Sequence, residues 1–247
     1  MEPSQFFNTN AGAYYGTDAG MGTVNELAAR HVEAAIAGRV LSIGGMWPQY
    51  SPEMVSKLDL VVADVSDEML QPHREAGLST VLDDARELSF QDGSFDHVVL
   101  PLVLHHITEQ SWRSARREVN KVLREARRVL RSGGRVWISE FSVRQPVYWA
   151  EAVAAPITRR ALGFMDIPLV IMHTTAFYRN VLVREQFDDV TSYFPEPPSA
   201  RWRDPIRPII GIPWLRVPRG LYPVRPVVLS ARAAGLSKHR RMRDASS

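Results

Sequence analysis

The stretch RVLSIGGM, residues 39–46, decides the fold together with an aspartate that follows it along the chain. Its apolar side chains form a short run without polar alternation, typical of a strand buried on both faces of a parallel sheet. After the two glycines, Ser51-Pro52-Glu53 predicts a helix start. A second apolar run, residues 60–63, ends in Asp64, twenty positions after Gly44. This order predicts the first βαβ unit of a nucleotide-binding sheet, in which Asp64 accepts hydrogen bonds from ribose hydroxyls.

Composition places the chain among ordinary globular proteins. Its 247 residues, 45% apolar and 23% charged, suffice for one α/β domain with a full core. The absence of cysteine excludes disulfides and thiolate metal sites. There is no apolar run long enough to cross a membrane and no signal pattern, so we expect a soluble cytoplasmic protein that does not bind membranes. The formal charge of +3 does not demand nucleic acid, and no such partner is expected.

Strands and helices alternate regularly between residues 39 and 141. The predicted elements are helices over 24–36, from Ser66 and over 109–131, and further strands at 80–82, 95–100 and 135–140. Gly133-Gly134 is expected to end the longest helix, whose arginine-rich face is interpreted as solvated. The alternation predicts an α/β fold with a doubly wound parallel sheet, whose carboxyl edge holds the ligands.

The pattern changes after Phe141. Residues 146–173 hold aromatics and prolines without a clean period, which indicates a helical insertion over the sheet edge. A helix over 175–186 precedes two late strands, and a proline-rich connection between those strands is predicted to form a pocket wall or a subunit contact. A homodimer is compatible with exposed aromatic side chains there.

Taken in order, these motifs resemble the class I S-adenosylmethionine-dependent methyltransferases, specifically the branch that acts on small molecules. The resemblance covers residues 38–141 well and the remainder in outline. It is carried by residues 40–45, by Asp64 with Ser66 and Met69-Leu70, by Asp84-Ala85, by Gly93-Ser94-Phe95-Asp96, by residues 103–106 and by residues 123–130 with Gly133-Gly134.

The resemblance implies a doubly wound, Rossmann-like, seven-stranded sheet with an antiparallel last strand, and an insertion that forms a substrate cap. The stretches near 190–194 and 226–231 would be the family's antiparallel sixth and seventh strands. We expect a single domain over residues 1–236. Its parts are an N-terminal arm and helix (1–38), a cofactor-binding core (39–141), substrate-pocket insertions with a late strand (142–225) and the last strand (226–236), before a disordered basic tail (237–247).

S-adenosylmethionine is the cofactor that the resemblance implies, with S-adenosylhomocysteine as the product. The implied binding residues are Ser42, Gly44, Gly45, Asp64, Val65, Asp84, Ala85, Leu100 and Tyr15. Asp64 would hold the ribose diol, and Asp84-Ala85 would lie beside the adenine. The glycine motif departs from the family pattern, because Ser42 stands where an acid is usual and Met46 and Pro48 stand where glycines are usual.

Candidate acid–base residues follow the fourth and fifth strands. Methyl transfer from a sulfonium is an in-line displacement that needs an aligned acceptor and, for some acceptors, a base. His105 and His106 follow the fourth strand and are candidate bases, and Glu140 is either a second candidate or a structural acid. Tyr14, Tyr15, Tyr148 and His173 are further pocket candidates by position. No metal is predicted, since the histidines lack ligand spacing with acids.

The leading functional hypothesis is methyl transfer to an oxygen, nitrogen or carbon of a small, hydrophobic or aromatic metabolite, in secondary-metabolite biosynthesis. The alternative is a methyltransferase-like protein with an altered cofactor loop that catalyses another reaction or serves as a non-catalytic partner. A nucleic-acid methyltransferase is disfavoured, because residues 100–103 lack the polar residue, two prolines and aromatic of that class. An NAD-dependent oxidoreductase is disfavoured because its glycine fingerprint is absent.

Overall fold

A computed structural model describes residues 22–45, 55–107, 111–164, 170–196, 201, 205–206, 217–218 and 221–235. Tyr14, Tyr15, Met46, Trp47, Pro48 and the tail 237–247 lie outside these residues. The described strands are β1 (Arg39–Ile43), β2 (Asp59–Asp64), β3 (Ser79–Leu82), β4 (Phe95–Pro101), β5 (Leu130–Val143), β6 (Phe187–Tyr193), β7 (Pro205–Ile206), β8 (Val217–Pro218) and β9 (Val224–Ala233). The helices are α1 (Gly22–Glu33), α2 (Asp67–Glu75), α3 (Trp112–Val129), α4 (Gln145–Phe164) and α5 (Thr175–Arg184), with a 3-10 turn at Leu104–His106.

Seven of the described strands form one sheet in the order β3-β2-β1-β4-β5-β9-β6, and β7 and β8 form a separate hairpin. β1 to β5 are mutually parallel, and β9 is antiparallel to both β5 and β6. The predicted doubly wound sheet with an antiparallel last strand is confirmed. The expectation that the sixth strand is also antiparallel is wrong, because β6 pairs with β9 and therefore runs in the same direction as β1 to β5.

Apolar side chains cover both faces of the sheet. One face packs on α3 and α5, with Leu123, Ile138 and Leu182 among its fully buried residues. The other face packs on α1, through Ala29 and Val40. Since both faces are covered, the ligand-accessible part of the sheet is its edge, where the parallel strands end.

Helix α3 is the best-formed amphipathic element, and its predicted solvated face has a further role. Ser111 caps the helix reciprocally with Ser114. Arg128 donates to Glu125 and Asp92 and to the carbonyls of Phe90 and Leu88. The arginine face therefore also ties the loop before β4 to the helix.

The junction between α3 and β5 differs from the sequence prediction. Gly133-Gly134 does not end the helix, which stops at Val129, and the glycines lie within β5. The register shifts there, because Phe95 pairs with Leu130 and His97 pairs with Arg135. A Cβ on Gly134 would lie 2.8 Å from the Asp96 carbonyl oxygen, so close strand approach requires this glycine.

Candidate functional site

The glycine turn after β1 is held by a serine at the end of that strand. Gly44 and Gly45 have φ angles of +82° and +95°, which L side chains rarely adopt. The Ser42 hydroxyl donates to the Gly45 carbonyl at 2.6 Å, and the Gly44 amide donates to the Ala63 carbonyl at 2.8 Å. The serine that replaces the usual acid therefore shapes the turn, and only its oxygen lone pairs remain for a ligand.

Val103, which follows β4, packs directly on this turn. A Cβ on Gly44 would lie 2.5 Å from Val103 Cγ2, so no larger residue fits. An apolar residue in an apolar run carries no signal of its own, so the sequence does not mark Val103 as a site residue. At Gly45 the nearest atom of the described residues to an added Cβ is His73 Nε2, at 3.8 Å. Gly45 thus leaves its side-chain position open, as a backbone contact with a ligand requires.

Asp64 ends β2 beside the glycine turn and is 8% exposed. Its Oδ1 accepts from the Ser66 amide at 2.8 Å. Burial raises the pKa of Asp64 to about 6, against the lowering by the amides of Ser66 and Val65. A buried carboxylate at the end of this strand is suited to bind the two hydroxyls of a ribose.

The two acids after β3 have different partners. The Asp83 amide donates to the Asp64 carbonyl, and the Asp83 carboxylate accepts from both the amide and the hydroxyl of Ser89. Asp84 accepts from the Arg86 guanidinium through both of its oxygens. The side chain of Asp83 therefore stabilises the loop through Ser89, whereas the side chain of Asp84 is paired with the exposed Arg86. The role of Asp84 beside an adenine stays a prediction.

The remaining predicted cofactor residues differ in accessibility. Val65 is 44% exposed beside Asp64 and offers an apolar surface at the edge. Ala85 packs against the core. Leu100 is fully buried and paired with Ile138 inside the sheet, so only its backbone could contact a ligand. Tyr15 lies outside the described residues.

A histidine–carboxylate pair occupies the edge beside the glycine turn. His105 Nδ1 lies 2.7 Å from Glu140 Oε2, and the Glu140 side chain has no exposed surface. Glu140 also accepts from the amides of Leu104 and His105, at 2.6 and 3.3 Å. The carboxylate thereby fixes both the 3-10 turn and the ring that the turn carries.

His106, the neighbouring candidate, has a different environment. Its ring centroid lies 4.1 Å from that of His105. Burial, assisted by His105, lowers the pKa of His106 well below its usual value. The structure thus separates two histidines that are adjacent in sequence, since the contact with Glu140 is made by His105.

The segment that precedes α5 packs against the turn that carries His105 and against the end of β5. The Ile171 amide donates to the His105 carbonyl at 3.1 Å, and the Val143 amide donates to the His173 carbonyl. His173 and Tyr178 are fully buried, with ring centroids 5.8 Å apart, and Tyr148 lies 6.1 Å from His173. Burial lowers the pKa of His173 to about 3. Two of the predicted pocket candidates, Tyr148 and His173, are therefore neighbours.

The order of strands arranges these groups along one edge. The glycine turn follows β1, Asp64 ends β2, His105 follows β4 and Glu140 lies near the end of β5. Among the residues that the structure describes, no group of three His, Asp or Glu side chains is arranged to hold a metal. No described helix is long and apolar enough to span a membrane.

A Rossmann-like sheet of this order, with a glycine turn and an acid at the ends of its first two strands, defines the class I methyltransferase fold. Residues 41–138 match the family model described as a methyltransferase domain. Residues 41–138 thus match a methyltransferase domain, and the sheet around them has the class I methyltransferase fold. The predicted resemblance to methyltransferases is confirmed over these residues.

Relatives found by sequence are quinone-pathway methyltransferases. Over 116 residues the chain is 33% identical to the ubiquinone/menaquinone biosynthesis C-methyltransferase UbiE of Idiomarina loihiensis, covering 42% of this chain and 43% of the relative. Over 110 residues it is 32% identical to the mitochondrial 2-methoxy-6-polyprenyl-1,4-benzoquinol methylase of Homo sapiens, covering 39% of this chain and 31% of that protein. The chain thus spans less than half the length of these curated relatives.

Solved structures resemble the fold over nearly the whole chain. The putative methyltransferase in complex with the Trm112 methyltransferase activator of Haloferax volcanii has a TM-score of 0.61 at 17% identity, covering 93% of this chain and 98% of that one. A methyltransferase of Thermotoga maritima has a TM-score of 0.59 at 15% identity, covering 94% and 100%. At these identities the likeness shows the fold alone.

Proposed function

We propose that this protein transfers a methyl group from S-adenosylmethionine to a small, hydrophobic or aromatic molecule whose accepting atom loses a proton. The observation that carries the proposal is the buried pair of His105 and Glu140 at the edge that also holds the glycine turn and Asp64. The edge combines groups suited to the cofactor with a base. The quinone-pathway relatives support an aromatic acceptor.

The residues at the ends of β1 and β2 fit the cofactor. Gly45 exposes backbone in a conformation that L side chains rarely adopt, and Asp64 presents a buried carboxylate. Bound there, S-adenosylmethionine would supply an electrophilic methyl group. Asp64 would hold the ribose hydroxyls, and Val65 would cover an apolar face of the nucleoside.

His105 would remove the proton of the acceptor. A carboxylate only accepts hydrogen bonds, so Glu140 holds the proton of the neutral imidazole on Nδ1 and leaves the lone pair of Nε2 free. After proton transfer, the carboxylate stabilises the imidazolium at 2.7 Å. This arrangement suits phenolic oxygen or an acidic ring carbon, because a neutral amine attacks without prior loss of a proton.

The test is methyl transfer from S-adenosylmethionine carrying a trideuterated methyl group to a panel of phenols, hydroquinones and amines, read by mass spectrometry. We expect labelled products from phenols or hydroquinones, with activity lost in His105→Asn. Labelling of amines alone, or undiminished labelling of phenols by His105→Asn, would rule out the proposed base.

The glycine motif supports a second candidate function, in which the protein does not transfer a methyl group. Ser42 stands in place of an acid, and its hydroxyl donates its hydrogen bond to the carbonyl of Gly45. Val103 fills the space next to Gly44. These features favour the alternative of a methyltransferase-like protein that does not transfer methyl. Micromolar cofactor binding without any labelled product from the panel would favour that alternative.

A further inference from the structure

An open cavity lies beyond the His105–Glu140 pair on the same edge of the sheet. Its volume is about 250 Å³, and its walls include Ser142, Arg144, Thr175, Phe194 and Arg225. The wall residues come from the end of β5, the start of α5, the end of β6 and the start of β9. None of them belongs to the groups described above as binding the cofactor or the acceptor proton.

The register of the sheet connects this cavity to the catalytic pair. Alternate residues of a strand share a face, so Glu140 and Ser142 lie on one face of β5. Ser142 Oγ is 2.8 Å from Thr175 Oγ1, which places this face under the start of α5. At about 3.3 Å per residue, Ser142 is roughly 7 Å from Glu140 along the strand. The cavity and the catalytic pair are therefore adjacent along β5.

Positive charge distinguishes the cavity. Arg225 pairs with Ser142 across β5 and β9, and Arg144 follows the end of β5. Both arginines line the cavity and are exposed, and neither has a described carboxylate partner. By contrast Arg232, at the other end of β9, is paired with Asp188 at 2.8 Å. Two exposed guanidinium groups on one cavity, without a carboxylate partner among the described residues, are a binding arrangement for an oxyanion.

The size of the cavity and its apolar wall indicate which kind of molecule carries the anionic group. Whole drug-sized ligands occupy pockets of roughly 300–1,000 Å³, so this cavity fits one end of a molecule. Phe194, 46% exposed, supplies a flat apolar surface beside the arginines. An aromatic ring that carries a charged group matches both features.

We propose that this cavity binds the anionic group, a carboxylate or a phosphate, of an aromatic methyl acceptor. The proposal rests on the proposed function and narrows it, because it makes the substrate an aromatic acid or an aryl phosphate. The acceptor atom would then lie at His105 while the anion contacts Arg144 and Arg225.

The test measures binding of benzoate, phenyl phosphate and inorganic phosphate to the full chain by ligand-observed NMR, without cofactor. We expect benzoate or phenyl phosphate to bind, and Arg225→Gln or Arg144→Gln to weaken binding tenfold or more, as the loss of a charge-assisted contact does. Arg117→Gln removes another exposed arginine that lies on α3 and should leave binding unchanged. The preferred probe distinguishes a carboxylate from a phosphate.

Three outcomes would overturn the proposal: no binding of either aromatic anion, equal weakening by Arg117→Gln, or wild-type binding in both cavity variants. Inorganic phosphate that binds as tightly as phenyl phosphate would also overturn it, because the ring would then contribute nothing. S-adenosylhomocysteine affinity, measured separately, should be equal in all variants. If S-adenosylhomocysteine does not bind at all, the proposed function is rejected, but the measurement of anion binding can still be interpreted.

Discussion

Glu140 Oε2 and His105 Nδ1 are 2.7 Å apart, although the two residues are 35 positions apart in sequence, one near the end of β5 and the other in the turn after β4. The pairing follows from β4 and β5 being parallel neighbours, since their carboxyl ends meet at one edge. The same carboxylate accepts two amides of the turn that carries His105. The pairing of β4 with β5 and the hydrogen bonds of Glu140 thus together orient the imidazole ring of His105.

We predict that Glu140→Gln lowers kcat by about 100-fold or more, within the range of general-base contributions. The glutamine amide can donate to Nδ1, which favours the tautomer without a lone pair on Nε2. S-adenosylhomocysteine affinity should change less than twofold, because Glu140 does not belong to the predicted cofactor contacts. Steady-state kinetics and calorimetry measure the two quantities.

A purely structural role for Glu140 would predict something else. If Glu140 only held the turn together, added imidazole would restore as much activity to the double variant His105→Gly/Glu140→Gln as to His105→Gly. We predict partial rescue by imidazole in His105→Gly and none in the double variant.

His106→Asn should lower kcat far less than His105→Asn. The pKa of His106 is lowered well below its usual value by burial, so this ring resists taking up a proton. Comparable losses in the two variants, at equal thermal stability, would mean that the contact with Glu140 does not identify the base.

Asp64 should make stability depend on pH. Its pKa is about 6 in the folded protein against an ordinary value of 3.8, so the folded state holds the proton more tightly. Stability from this group is present below pH 4 and is lost as pH rises through 6. The wild type should lose about 3 kcal/mol relative to Asp64→Asn between pH 3 and pH 8. Urea unfolding at both pH values measures this difference, and a constant gap would show that burial does not perturb Asp64.

Gly44→Ala should destabilise the protein and abolish cofactor binding. The new Cβ meets Val103 Cγ2 at 2.5 Å in a backbone with φ of +82°. Strain and overpacking together cost about 2–5 kcal/mol. Gly77→Ala is the matched control, because Gly77 has φ of +79° with open space around its Cβ position. Adding Val103→Ala to Gly44→Ala should recover part of the stability; no recovery would contradict the packing described here.

Arg128→Ala should lower the free energy of unfolding by about 2 kcal/mol, because two carbonyls and two carboxylates lose their hydrogen-bond donor. Arg124→Ala removes a 66% exposed guanidinium paired with Glu185 and should cost at most about 0.5 kcal/mol. Equal losses in urea unfolding would show that the loop before β4 is not held by Arg128.

The sheet was predictable because its parallel strands are buried on both faces and appear as apolar runs, as residues 60–63 show. The junction at Gly133-Gly134 was not, since a glycine pair that ends a helix and one that forms a bulge have the same local pattern. Asp64 and the candidates at the strand ends follow from position alone. The choice of His105 over His106, and the packing of Val103 on Gly44, depend on contacts between distant strands that no local pattern encodes.

The central claim is tested most directly by calorimetric titration with S-adenosylmethionine and S-adenosylhomocysteine of the wild type, Asp64→Asn and Asp59→Asn. Asp59 is an exposed aspartate at the opposite end of β2 and serves as the control. The account predicts micromolar binding of both ligands to the wild type and to Asp59→Asn, weakened at least tenfold in Asp64→Asn. Failure of either ligand to bind the wild type, or equal binding to all three proteins, would contradict it.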